Sequence, residues 1–349
     1  MQPCSASVVG ARCPRPFAAA DASSPRRRGA APVRASTAAA EHVRYVCEVA
    51  VVPGKPKVET LLKVLEAQGQ SAVSPAQRQG LHPLAIPLAQ QPGGELTCLL
   101  RWPEGHKGME LPVVSQARDG TQVRLVARSV EEYLHRALAE EEAGGGGAVA
   151  AAAGGDSGAL YARGAFAASK LPTMDAYLTR KAGMFPDVAE RLVQAHLDKG
   201  DQMSALITGE WYMRNTFFPG WGRPYEFNSQ LLARVGRGEE ARDVARIALR
   251  MPWWSFVDGF AGMRDAATLS GGTIEIRAAM DEQDEMSNMP GMKTAVKTEK
   301  QQQMEEADWL MNAVAAGEKG WDEVRGGVAE RYAAAGLTEV ADFIKAAAA

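Results

Sequence analysis

Residues 144–155 read GGGGAVAAAAGG, with no side chain larger than valine. Such a stretch buries little and loses much backbone freedom on ordering, so it is expected to act as a flexible linker and divide the chain. The apolar pattern changes across it. Before it, apolar residues form short strand-like runs. Beyond residue 171 they recur at the 3.6-residue period of helices. The reading is therefore an α+β unit over 42–143, a linker over 144–170 and an all-α domain over 171–349. With 46% apolar and 23% charged residues among 349, there is enough apolar material for cores of ordinary size.

In the first unit, Val43, Tyr45, Cys47, Val49 and Val51 alternate, which predicts a strand over 43–52. Val58, Leu61, Leu62 and Leu65 predict a helix over 57–68, stopped by Gly69. Short apolar runs follow at 84–88 and 95–101. LPVVSQA and TQVRLVA flank Asp119-Gly120, which predicts a hairpin with both turn positions at positive φ. Ser129 and Glu132 have the spacing of a capping box opening a helix to about Glu142. The unit thus counts two helices and about five strands.

The second unit reads as nine helices, at about 187–199, 201–215, 225–236, 239–251, 257–268, 272–286, 298–316, 321–335 and 337–346. Three places share the spacing Gly-x4-Ala: Gly200 and Ala205, Gly236 and Ala241, Gly336 and Ala341. Physically this is a helical hairpin: glycine ends one helix in a left-handed turn, and a small residue lets the next approach closely. In LLARVGRGEEARDVARIALRMP, Gly236, Ala241, Ala248 and Ser229 fall at turn and small positions. In VAERYAAAGLTEVADFI, so do Ala329, Tyr332, Gly336 and Ala341, with Tyr332 at the aromatic place. These units resemble the tetratricopeptide (TPR) repeat, with Pro252 one residue early and Leu232 where a tyrosine is usual. The resemblance implies a TPR-like helical array that binds protein segments on a concave face. The chain as a whole resembles plastid-targeted proteins of plants and algae, a likeness that implies an address and no reaction.

Residues 1–40 carry six arginines and one acid, Asp21, among Ala, Ser and Pro, and no apolar core follows them. That is the pattern of an organelle transit peptide, with Val33–Ser36 resembling a chloroplast processing site cut near Ala35. Without residues 1–40, 33 basic and 41 acidic residues remain, a net charge near −8. Nucleic-acid binders are usually basic, so this balance argues against one. Cys47 and Cys98, 51 positions apart, read as reduced thiols rather than a disulfide framework. No apolar run is long enough to cross a membrane, while peripheral attachment to thylakoids stays open.

Eleven of the 23 aromatic residues lie in 211–260. Trp211, Phe218, Trp221, Tyr225, Trp253 and Trp254, with Arg214 and Arg223, form the candidate partner-binding set, because aromatic side chains and arginine dominate binding hot spots. Core packing between hairpins is the competing reading. Met280, Met286, Met289 and Met292 beside four acids read as a surface connector without EF-hand spacing. Ser157 sits in a Gly-Asp-Ser-Gly quartet that lacks the His and Asp of a catalytic triad. His106, between Glu104 and Glu110, has no second His at ligand spacing. No catalytic residue, cofactor or metal site is expected. The function that follows is a non-enzymatic protein-binding scaffold or assembly factor in the chloroplast. The alternatives are an enzyme with its site in the 99–114 loop, or a helical-repeat RNA binder.

Overall fold

The structure, a computed structural model, describes residues 32–52, 57–214, 216–287 and 297–346. The leader arginines Arg12, Arg15, Arg26, Arg27 and Arg28 lie outside the described residues, as do Met289, Met292 and the side chain of Met286.

The first element is helical. α1 (Pro32–Arg44) runs into a π turn over Tyr45–Val49. The strand expected over 43–52 is therefore absent. Its alternating residues do not share a buried face, for Val43 and Val51 are exposed. Burial instead follows Ala39, His42, Val46 and Ala50, three or four residues apart, which is a helical stripe. The His42 ring nitrogens lie 2.8 and 3.2 Å from the carbonyls of Ala38 and Pro87, fixing α1 against the sheet.

α2 (Val58–Ala67) buries Val58, Leu61, Leu62, Val64 and Leu65, and Gly69 ends it at φ +85°. Five strands follow as an antiparallel sheet in chain order: β1 (Ser71–Ala72), β2 (Ala85–Gln90), β3 (Leu96–Leu100), β4 (Val113–Gln116) and β5 (Arg124–Ala127). The count matches expectation with one exchange, β1 standing in for the strand read at 43–52. β3 is buried throughout and β2 over its first five residues, so they read as continuous apolar runs rather than alternation. The β2–β3 register shifts between Pro87 and Ala89, where proline lacks the N–H a regular ladder needs. β4 and β5 pair antiparallel as expected, but only Asp119 of the turn has positive φ. The Ser129 side chain caps α3 (Val130–Ala143) through Glu132 N–H, while the Glu132 carboxylate turns to Arg128 instead of completing a capping box.

The segment expected to be a flexible linker is folded. It holds α4 (Ala148–Ala153), α5 (Ser157–Leu160) and α6 (Ala165–Ser169), and α4 packs on α2. Val149, Ala153 and Tyr161 are buried. Asp156 pairs with Lys57 and Thr60 of the α2 region, and Glu141 accepts the N–H groups of Val149 and Ala150. Small residues here allow close helix approach rather than freedom, because flanking carboxylates satisfy the backbone donors. Ser157 donates to the Gly154 carbonyl.

All nine helices expected beyond residue 186 are present. After α7 (Met174–Tyr177) come α8 (Pro186–Asp198), α9 (Gln202–Tyr212), α10 (Arg223–Arg234) and α11 (Gly238–Ala248). α12 (Gly259–Ala266), α13 (Thr273–Ser287), α14 (Glu299–Ala315), α15 (Trp321–Ala334) and α16 (Thr338–Lys345) complete the chain. Gly200, Gly236 and Gly336 have φ of +74°, +84° and +78°, and Ala205, Ala241 and Ala341 are buried in the hairpins that follow. Each Gly-x4-Ala site therefore has the turn its spacing implies. The hairpins α8/α9 and α10/α11 are neighbours. The third, α15/α16, does not continue that stack. It packs on α14 and reaches back to the first unit, where Arg325 donates to the carbonyls of Arg78 and Leu81. The chain thus does not form one uninterrupted superhelix of repeats.

Nor do the two halves have separate cores. One cluster of buried apolar residues runs from Ala39 to Ile344. Val123 N–H donates to the Trp254 carbonyl at 2.7 Å, and the Trp321 indole donates to the Gly120 carbonyl at 2.7 Å.

Candidate partner-docking groove

The aromatic set read from the sequence is for the most part interior. Phe218, Trp221, Trp253 and Trp254 are buried. Trp221 meets Trp254 edge to face at 5.2 Å and Trp102 at 6.1 Å. His82 lies 4.4 Å from Trp254 and 4.8 Å from Trp321. Trp253 stacks on Phe260 at 4.3 Å and meets Trp309 at 5.1 Å. These rings join three stretches of chain, at 82–102, 218–260 and 309–321. Their large area serves folding rather than an open groove. Of the set, Arg214 is exposed, and Trp211 and Tyr225 are half-buried.

Arg223 also has an internal task. Its guanidinium pairs with Glu190 at 2.8 Å, Glu226 at 2.9 Å and Asp258 at 3.2 Å. Glu226 is wholly buried and accepts the N–H groups of Val257 and Asp258 at 2.7 and 2.8 Å. This network fixes the 253–258 loop to α10, and a charge so satisfied is poorly placed to meet a partner.

The 99–114 loop is held in the same way. His106 meets Trp102 edge to face at 4.9 Å, its pKa is lowered by burial, and Gly220 passes close to its Nε2. Glu104 pairs with Lys300. Cys98 is buried, and burial pushes its thiol up to about 12, whereas Cys47 is exposed. Among the described residues no group of three His, Cys, Asp or Glu is placed to hold a metal ion.

The surface that stands out is on the hairpin pair. α9 and α11 both pack on α10 and leave a groove of about 460 Å³ over it. Met203, Leu206, Ile207 and Met213 come from α9 and its end, Leu232 from the floor, and Val244 and Ile247 from α11. Met203, Ile207 and Ile247 are 68, 60 and 44% exposed, and few other large apolar side chains among the described residues are so open to solvent. Helical spacing explains the placement. Residues 203, 206, 207, 210 and 213 share one face of α9, while Ala205, Gly209 and Tyr212 occupy the buried face. The close fit of the two helices comes from Gly209, where a Cβ would meet Asn228 and Leu231. An exposed apolar cluster with a polar rim marks an interaction site. A sequence reading weighted toward aromatics passes over it, because its side chains are Met, Ile, Leu and Val.

A smaller cleft of about 230 Å³ lies between Arg250, Lys297, Asp308 and Asn312. Its polar groups are largely engaged: Lys297 pairs with Glu305 at 2.7 Å, and Asn312 accepts the Trp253 N–H at 2.9 Å. Asp308 in its wall is exposed to solvent.

Among the described residues no helix is long and apolar enough to cross a membrane. No solved structure matches the chain. Three family models match it in order: PAB N-terminal over residues 40–181, PAB middle domain over 186–273 and PAB C-terminal domain over 276–347. Their boundaries fall near Gly183 and beyond α12, not at the Gly/Ala stretch. A relative from Arabidopsis thaliana, "Protein IN CHLOROPLAST ATPASE BIOGENESIS, chloroplastic", is 38% identical over 312 residues, 89% of this chain and 92% of its own. This extent of identity places the protein in the chloroplast. With the three matches running from residue 40 to residue 347, it shows that the chain belongs to the PAB family.

Proposed function

We propose that this protein is a non-enzymatic assembly factor that binds a protein partner during biogenesis of the chloroplast ATPase. The observation that carries the reading is the exposed apolar groove on α9–α11, on a chain so similar to a protein named for that process. An assembly factor must hold an unfinished partner reversibly, and a shallow apolar groove with a charged rim suits a transient interface better than a deep polar pocket.

In this reading the transit peptide lies within residues 1–40. A cut near Ala35 spares Ala39 and His42, which the fold buries. The net charge left after that cut does not favour RNA as a partner.

The test is genetic. Expressed in an Arabidopsis thaliana line lacking the relative, this chain should restore the amount of assembled chloroplast ATPase. Accumulation of the chain in chloroplasts without any gain in the ATPase would overturn the assignment to that process.

A further inference from the structure

The rim of the groove carries a net negative charge. Glu210 on α9 and Asp243 on α11 are exposed and have no ion-pair partner among the described residues. Arg237, the basic residue of the lining, is occupied by Glu240 at 2.6 Å. The lining therefore carries three acids against one base, with the two unpaired carboxylates on opposite walls around the apolar strip.

The walls also limit the shape of what enters. They are helices, whose backbone N–H and C=O groups are already paired, so the apolar strip offers no ladder of donors and acceptors. An extended segment pressed onto it would bury its own backbone polar groups unmatched. A helix satisfies them internally and presents side chains alone. Each wall has 11 residues, about 16 Å at 1.5 Å per residue, which matches roughly three turns of a docked helix.

We propose that the α9–α11 groove receives one amphipathic helix of a partner protein, about three turns long, with apolar residues along one stripe and Lys or Arg beside it. The proposal deepens the assembly-factor reading and rests on it for the partner's origin in the chloroplast. Ile207, Met203 and Ile247 grip the apolar stripe. Glu210 and Asp243 meet the flanking cations, which fixes the orientation and rejects acidic helices.

The probes are fluorescein-labelled 16-residue helical peptides with leucine at i, i+4, i+7 and i+11, bearing either lysine and arginine or glutamate at the remaining positions. Binding to the full chain is read by fluorescence anisotropy at two salt concentrations. The basic probe should bind at least ten-fold more tightly than the acidic one, and the difference should shrink as salt rises. Ile207→Glu with Ile247→Glu, at exposed positions that leave the core intact, should weaken the basic probe at least ten-fold while the thermal midpoint holds. Glu210→Lys with Asp243→Lys should reverse the preference. Equal binding of both probes, or binding indifferent to the Ile207 and Ile247 changes, overturns the proposal. So does a wild-type dimer in sedimentation that those changes disperse, since the occupant is then a second copy. Peptide binding by a chain that fails to restore the ATPase would leave the groove standing and remove the process. Restoration without peptide selectivity would do the reverse.

Discussion

Replacing Arg78 by alanine is expected to destabilise the protein by about 4 kcal/mol. The side chain is fully buried. Its Nε donates to the Ala85 carbonyl at 3.0 Å, one terminal nitrogen donates to the Phe343 carbonyl at 2.7 Å, and the other to the Pro83 carbonyl. The guanidinium also lies 3.7 Å from the Phe343 ring centre. No acid among the described residues pairs with it; carbonyl dipoles and a ring face offset the charge, and burial lowers its pKa to about 10, so it stays protonated at neutral pH. Truncation leaves three buried carbonyls without these donors, at about 1–3 kcal/mol for an unmatched buried polar group, and opens a cavity. It also cuts a link from the 78–85 loop to α16. Urea unfolding followed by tryptophan fluorescence checks it. Lysine should retain part of the stability and methionine less. A loss below 1 kcal/mol for alanine would show that the two ends of the chain are not joined there.

The second large effect concerns acid. His82 is fully buried between Trp254 and Trp321, and its Nδ1 accepts the Leu84 N–H at 3.2 Å. The proton of the neutral ring therefore sits on Nε2, which has no hydrogen-bond partner among the described residues. Burial pushes its pKa down from 6.5 to about 3, with the nearby Arg325 and Arg78 adding to the shift. In the unfolded chain the ring takes up a proton near pH 6.5, and in the folded one it does not. The stability tied to this neutral ring is thus fully present above pH 6.5 and is lost progressively as pH falls toward 3. The rate is about 1.4 kcal/mol per pH unit, and the total about 5 kcal/mol. Burial also lowers the pKa values of His106 and His135, so the useful quantity is a difference. The wild type should lose about one proton's worth of slope more than His82→Gln between pH 6 and pH 4. Parallel slopes would mean that the ring reaches water.

These two residues show what was legible in the sequence and what was not. The nine helices of the second half were readable because each has an apolar stripe and a turn signal, as at Gly236 and Ala241. β2 to β5 were readable from short apolar runs. Residues 43–52 were misread because alternating β-branched residues sat on a helix whose buried stripe begins upstream, at Ala39 and His42. Composition misled over 144–170, since the partners that order it, Lys57 and Glu141, lie outside it. Arg78 and His82 carry no local pattern at all. Their partners are up to 265 residues away, as Arg78 and Phe343 show. The aromatic cluster at 211–260 was visible, but whether rings face inward or outward is decided by Trp102, Trp321 and Glu226, and no local window shows that. Exposed Met203 and Ile207 looked like ordinary helix-face residues until α11 was placed beside α9.

The central claim is that the α9–α11 groove is the working surface of an assembly factor. The most direct measurement compares two chains in the Arabidopsis thaliana line lacking the relative: the wild type and the double change Ile207→Glu with Ile247→Glu. Both are read for their own level and for assembled chloroplast ATPase. The account predicts equal levels of the two chains, restored ATPase with the wild type and little with the variant. Full restoration by a variant whose groove is lined with glutamate would contradict it.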